Sequence, residues 1–244
     1  MLSRKAQMDR TDMIQVVSPR NVDACEWAQP SAQQQLRQQR ALSHMGFDSF
    51  RPLQREIVTA AMDGMDVLVQ MPTNAGKTAL FALPSLVDRC SKCAANPTDS
   101  ECTCTGLGTK NEGNNNLTTS AYETCRSFTI VLSPLRALIA DQVGRLCNHY
   151  HVPTINLETA TQAQIQNMLA LVPEDIQDPN GKRILVPAKL ALLTPEKLSK
   201  NDVVQRELWK HHRSGRISRV VVDEMHYVTD CDQNFRQVIG KSVN

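Results

Sequence analysis

The sequence has 244 residues, 41% of them hydrophobic and only 4% aromatic, enough for one large domain or two small ones around a mostly aliphatic core. A formal charge of +2 excludes the global electrostatics of a DNA-wrapping protein, so any nucleic-acid contact must be local. The first thirty residues scatter Arg4, Lys5, Asp9, Arg10 and Asp12 through a stretch without a sustained apolar run, so neither a signal peptide nor a membrane span is expected there, and the eight cysteines read as thiols or metal ligands of an intracellular protein.

In chain order, residues 1–30, with Pro19 and Pro30, have the composition of a flexible arm. From Ser31 the run SAQQQLRQQRALSHM has no internal Gly or Pro and predicts a helix that Gly46 ends. After Pro52, LQREIVTAAMDG predicts a second helix, with Leu53, Ile57, Ala60 and Ala61 at helical spacing. DVLVQMP predicts a short buried strand, and TNAGKTALFALPSLV a small-residue turn that opens into a helix. Residues 89–127 shift to Cys, Thr, Asn, Gly and Ser, including NEGNNNLTTS, and read as a surface insertion. Order resumes with SFTIVLSP as strand, LRALIADQVGRLCNHY as helix, TINL as strand and AQIQNMLALV as helix. A polar loop, PEDIQDPNGK, precedes the strand KLALLTP, the helix VVQRELWKHH and the strand RISRVVVDEMHYV. Regular alternation implies parallel strands with helical crossovers, a doubly wound α/β sheet occupying residues 31–244.

Two strand ends carry chemistry. MPTNAGKT, from Met71 to Thr78, lies between a strand and a helix, where free backbone N–H groups and the helix dipole favour an anion, phosphate above all. Gly76 lets the backbone approach, Lys77 reaches the β- and γ-phosphates, and the Thr78 hydroxyl ligates Mg²⁺. Met71 stands where the general P-loop pattern has glycine, and Asn74 and Ala75 where more glycine is common. VVVDEMH places Asp223 and Glu224 at the carboxyl end of another strand. Asp223 would hold Mg²⁺, commonly through water, and Glu224 would orient and deprotonate an attacking water. Alone a DE pair is a weak signal; beside a P-loop it is specific.

Over roughly Leu42 to Arg236 these and further ordered motifs resemble the RecQ-type DNA helicases of superfamily two. GFDSFRPLQREIV looks like the family's segment ahead of the P-loop, which implies that Phe47 and Arg51 sandwich an adenine while Gln54 bonds its edge, hence ATP. MPTNAGKT resembles the family's P-loop, Met-Pro-Thr opening included, so Thr73, Asn74, Ala75, Gly76, Lys77 and Thr78 would bind the nucleotide. VLSPLRALIADQV resembles the next motif, where Ser133 and Leu135 would touch the DNA backbone, and LLTPEKL the following one, through Thr194 and Glu196. DEMH is a variant of the DEAH box with Met225 for Ala, in which His226 would link ATP to DNA binding. TDCDQNFR matches the family's aromatic-rich loop at Phe235 and Arg236, whereas Cys231 and Asp232 replace its Trp and Gly; base-stacking aromatics of that kind sense DNA.

The resemblance implies a RecA-like P-loop NTPase domain with a parallel sheet flanked by helices, using ATP and Mg²⁺ on single-stranded or tailed duplex DNA with 3′ to 5′ polarity. It also implies a second lobe beyond residue 244, whose arginine would be worth roughly 10³ to 10⁵ in rate, and a strand between the P-loop and DEMH strands that comes after DEMH. The fold is thus expected to be incomplete at the C-terminus, marginally stable, and better at binding nucleotide than at hydrolysing it. The Asn-rich insertion suits a eukaryotic protein and points to the nucleus.

Cys90, Cys93, Cys102, Cys104 and Cys125 crowd the insertion; Cys90 and Cys93 have C-x2-C spacing, so a zinc site is arithmetically open, against free thiols in a loop, the reading adopted. Lys210, His211, His212 and Arg213, and Arg216 with Arg219, read as solvated basic clusters. Two other functions share parts of the pattern: a small-molecule P-loop kinase, which has no use for FRPLQ or TPEKL, and a non-hydrolysing, nucleotide-responsive nucleic-acid or protein binding module.

Overall fold

The computed structural model describes residues 14–17, 30–72, 75–88, 126–171 and 185–225. They fall into two compact units, Met1–Val87 and Asp88–Asn244.

In the first unit, helix α1 (Ala32–His44) starts where Ser31 and Gln34 cap each other. The Ser31 hydroxyl accepts from the Gln34 N–H at 3.2 Å, and the Gln34 side chain accepts from the Ser31 N–H at 2.8 Å. At the other end Gly46, with φ +76°, turns the chain so that the Phe47 N–H donates to the Leu42 carbonyl at 3.0 Å. Helices α2 (Gln54–Met62) and α3 (Lys77–Val87) complete this unit's apolar interior, which buries Leu42, Met45, Ile57, Val58, Phe81 and Leu83. The buried Gln38 belongs there because its Nε2 donates to Thr59 Oγ1 at 2.9 Å.

Strand β1 (Ile14–Val17) pairs antiparallel with β2 (Asp66–Val69), Ile14 opposite Val69. Two expectations are corrected here. Part of the stretch read as an arm forms a strand, its Ile and Val residues having the propensity for one. And β2, expected as a buried strand of the parallel sheet, has no buried residue and takes its ladder from β1.

The second unit holds four parallel strands in the order β4-β7-β3-β8: β3 (Phe128–Leu132), β4 (Thr154–Asn156), β7 (Leu190–Leu193) and β8 (Ile217–Val222). β3 and β7 are buried at every residue, as central strands covered on both faces must be. Phe128, Ile130, Leu132, Ile155, Ala191 and Leu193 share one face and pack on Ile165 of α5 (Gln162–Asn167) and on Val204 and Leu208 of α7 (Asp202–Arg213). Helix α4 (Arg136–Asn148) lies against β4 and β7 and contributes nothing to that cluster, so it covers the opposite face with Ile139 and Leu146. Helices on both faces of a parallel sheet make this unit α/β, as the alternation predicted. Between β7 and α7 the short helix α6 (Pro195–Lys200) is capped by Thr194. No helix of the described residues is long and apolar enough to cross a membrane.

One local expectation fails. AQIQNMLALV reads as a helix throughout, yet α5 stops at Met168, whose φ is +48°. Leu169–Leu171 then form β5, antiparallel to β6 (Leu185–Pro187). A strand here lets Met168 and Ala170 enter the core on alternate positions.

Candidate functional site

In the first unit the chain ahead of α2 is knotted to the chain ahead of α3. Leu53, the N-cap of α2, has φ +69°, an uncommon conformation for a bulky residue. That turn folds Gln54 back, so its Oε1 accepts from the Arg51 N–H at 2.9 Å. Its Nε2 donates to the Gly76 carbonyl at 3.3 Å. Gln54 is buried, and its amide stands so close that a Cβ on Gly76 would meet Nε2 at 2.5 Å. With φ +90° as well, position 76 admits only glycine without rearrangement. Lys77 is the first residue of α3 and Thr78 follows in the same turn, both partly exposed where the helix presents its free N–H groups. The structure therefore brings together Arg51, Gln54, Ala75, Gly76, Lys77 and Thr78. Phe47 closes the end of α1. Thr73 and Asn74 lie outside the described residues.

In the second unit Asp223 follows β8 directly, and its N–H donates to the Leu132 carbonyl of β3 at 2.8 Å, so it sits at the carboxyl edge of the sheet. Its Oδ1 accepts from the Glu224 N–H at 3.0 Å, and its Oδ2 from Gln142 Nε2 at 2.8 Å. Glu224 has φ +52°, a second non-glycine residue held in the left-handed region beside a proposed reacting group. Gln142 was missed by sequence reasoning. The available signal was a polar residue in the stripe Ile139, Gln142, Leu146, whose i, i+3, i+7 spacing faces the core.

Of the six residues assigned to DNA contact, Phe235 and Arg236 lie outside the described residues; of the other four, two are at the surface and two are not. Leu135, the N-cap of α4, is 50% exposed, and Glu196 is exposed on α6. Ser133 is buried, its N–H on the Leu193 carbonyl at 3.1 Å, and its hydroxyl finds no partner among the described residues. Thr194 is also buried. Its N–H and hydroxyl both donate to Glu158 Oε1 at 2.9 Å, while the hydroxyl accepts from the Lys197 N–H at 3.1 Å. Glu158 Oε2 meets Arg136 Nε at 3.1 Å. Thr194 thus ties the start of α6 to the start of α4, a framework role sequence alone did not suggest.

The expected basic clusters are largely committed elsewhere. His211 is buried, edge-on to Phe128 at 5.5 Å, and its Nδ1 accepts from Arg216 at 2.9 Å. Burial, then the charge of Arg216, against a smaller opposing effect of Glu207, pushes its imidazole down to about 4, so at neutral pH it carries no charge. Arg216 also donates to the Arg126 carbonyl at 3.2 Å, and Arg219 makes a two-point contact with Asp88. Lys210 holds the buried Glu207 at 2.9 Å and, with burial opposing, keeps that carboxyl below its usual range. Lys210, His212 and Arg213 are at the surface, the last two stacked around the half-exposed Trp209.

Among the described residues no group of three or more His, Cys, Asp or Glu could hold a metal. The clustered cysteines Cys90, Cys93, Cys102, Cys104 and Cys125, and His226, Phe235 and Arg236, lie outside the described residues.

Residues 51–244 match the family described as DEAD/DEAH box helicase. The chain is 29% identical over 191 residues to "ATP-dependent DNA helicase Q-like 4B" of Arabidopsis thaliana, covering 78% of this chain and 13% of that protein. It is 28% identical over 187 residues to "ATP-dependent helicase SGS1" of Saccharomyces cerevisiae, covering 77% and 10%. With "ATP-dependent DNA helicase Q1" of Rattus norvegicus it shares 27% over 187 residues, 77% of this chain and 23% of the other. In each case it spans less than a quarter of the relative's length.

Proposed function

The chain belongs to the DEAD/DEAH box helicase family, and on that footing we propose that it is the ATP-binding lobe of a RecQ-type DNA helicase motor, taking Mg-ATP and DNA and working 3′ to 5′ in the nucleus. The observation that carries this reading is the Arg51–Gln54–Gly76 knot, which fixes a glycine at φ +90° one residue ahead of Lys77 at the start of α3. The knot thus holds the turn directly against the free N–H groups at the start of α3, the kind of helix end that takes a phosphate.

In this reading Lys77 neutralises the β- and γ-phosphates, and the N–H groups from Thr73 to Thr78, through Asn74, Ala75 and Gly76, surround them. Phe47 and Arg51 flank the adenine, and Gln54 joins adenine recognition to the loop through the Gly76 carbonyl it already holds. Thr78 and Asp223 offer hard oxygen donors of the kind Mg²⁺ prefers, and Mg²⁺, when bound, neutralises charge developing on the phosphates. Glu224 takes the proton of the attacking water. His226, Phe235 and Arg236 relay the nucleotide state to DNA, which lies along Leu135 and Glu196, with Ser133 and Thr194 holding those segments in place. The relatives named ATP-dependent DNA helicases support ATP and DNA as the ligands.

The test is binding of Mg-ATP to residues 1–244 and to the Lys77→Ala variant, with and without single-stranded DNA. Loss of at least about tenfold in the variant is expected, since removing a hydrogen bond to a charged group costs roughly 1.5–3 kcal/mol. Equal affinity in both proteins would refute the reading. Turnover that single-stranded DNA stimulates, however slow, would favour the motor over the non-hydrolysing module.

A further inference from the structure

We propose that Gln142 is a positioning residue for the divalent cation, acting through Asp223; the inference rests on the reading of Asp223 as the cation's carboxylate. Gln142 lies in the middle of α4 and is buried, with Ile139 and Leu146, both fully buried, on the same face of the helix. An amide in an apolar stripe is costly unless it is hydrogen-bonded. Its Nε2 donates to Asp223 Oδ2 at 2.8 Å, while its Oε1 has no partner among the described residues. Among the described residues the acid is therefore the one group that accounts for an amide at this position. Its orientation is also forced, because a carboxylate accepts only, and the flipped amide would set oxygen against oxygen.

Seen from Asp223, the same bond completes a clamp. The backbone N–H fixes the residue to β3, the Glu224 N–H takes one carboxylate oxygen, and Gln142 takes the other. Two of about four acceptor sites remain, which is what a cation ligand must keep free. Helix α4 begins at Arg136, directly after the proposed DNA-contacting Leu135, and Gln142 stands roughly 10 Å along its axis at 1.5 Å per residue. A tilt of α4 imposed at its N-terminus is thus delivered to the carboxylate by a single rigid amide.

Hydrogen-bond partners behind metal ligands are typically worth roughly 10- to 100-fold in metal affinity. The experiment uses Mn²⁺ as the probe, with free ion counted by electron paramagnetic resonance, on residues 1–244 with ATP present. Gln142→Leu keeps the volume and apolar packing of the stripe, and Gln142→Ala controls for shape. Both are expected to weaken Mn²⁺ by roughly 10-fold or more while metal-free ATP affinity stays at the parent value; the thermal midpoint is expected to hold in Gln142→Leu and to fall in Gln142→Ala, which opens a cavity. In an Asp223→Ala background, Gln142→Leu should cause no further loss. Parent-like Mn²⁺ affinity in Gln142→Leu, or an undiminished loss when Asp223 is already gone, would overturn the proposal. If Asp223→Ala alone left Mn²⁺ affinity unchanged, the assignment of Asp223 would fall as well, and the two failures are thereby told apart.

Discussion

His211 shows at the scale of one residue how burial can invert a sequence reading. In the run Lys210, His211, His212, Arg213 it looks like part of a cationic helix end, yet on α7 it points inward with Val204, Glu207 and Leu208. Burial, reinforced by Arg216 and only partly opposed by Glu207 and the Ile165 and Gln166 carbonyls, pushes it from 6.5 down to about 4. The unfolded chain therefore binds a proton between those values that the folded chain refuses. Stability is complete above about pH 6.5 and is lost as pH falls towards 4, by at most about 3 kcal/mol. Urea denaturation at pH 7.5 and pH 5 should show this loss in the parent. His211→Gln, which can still accept from Arg216 but does not titrate, should flatten it; an equal pH response in both proteins would assign the dependence elsewhere. The surroundings that bury it were not legible beforehand, because Phe128 of β3 and the Ile165 and Gln166 carbonyls of α5 are distant in sequence and adjacent only in the fold.

Among the elements, β8 carries the most information beyond its pattern. Its pairing with β3 slips one residue between Ile217 and Arg219, a bulge at Ser218 that turns Arg219 onto the same face as Thr129. There Arg219 meets Asp88, both side chains at most 15% exposed. Burial raises the Asp88 carboxyl, and Arg219, then Lys189, hold it down. Removing one partner of such a pair leaves a buried charge, so Arg219→Ala should cost about 3 kcal/mol in chemical denaturation. Asp88→Leu with Arg219→Met should cost clearly less, and if the double variant is as unstable as the single, the pair is not what Arg219 contributes. The strand itself was readable from VVV and its capping acids, as were α1 to α4 and α7 from periodicity and caps. Short apolar runs were not: LAL and RILVP have no period that separates strand from helix, so β5 and β6 became visible only as a pair. The glycine turn at Gly76 and the start of α3 at Lys77 were likewise readable from spacing, whereas Gln54's bond to Gly76 and Gln142's bond to Asp223 are long-range contacts that no spacing encodes.

For the molecule as a whole, the segment between Asp88 and Arg126 raises the question of whether it belongs to the fold or is carried by it. Its two ends are tied independently of what lies between them. Asp88 is held by Arg219, and the buried Ser127 donates its hydroxyl to the Asp88 carbonyl at 3.0 Å. Arg126 and Phe128 bracket Arg216, which donates to the one at 3.2 Å and accepts from the other at 2.9 Å. Since the points of departure and return are within hydrogen-bonding distance, a short linker can join them without strain. Each halving of loop length changes the closure entropy by only about 0.6 kcal/mol. Replacing residues 89–125 by a Gly/Ser linker of about eight residues should therefore shift stability by no more than about 1–2 kcal/mol, with Mg-ATP affinity retained. Loss of the cooperative transition would show that the segment is part of the core. Loss of an equimolar zinc, measured by metal analysis on parent and replacement side by side, would reassign Cys90, Cys93, Cys102, Cys104 and Cys125 from free thiols to ligands. Retained stability with no change in metal content would leave the segment an insertion whose removal the fold tolerates, because Asp88, Ser127, Arg216 and Arg219 close the gap themselves.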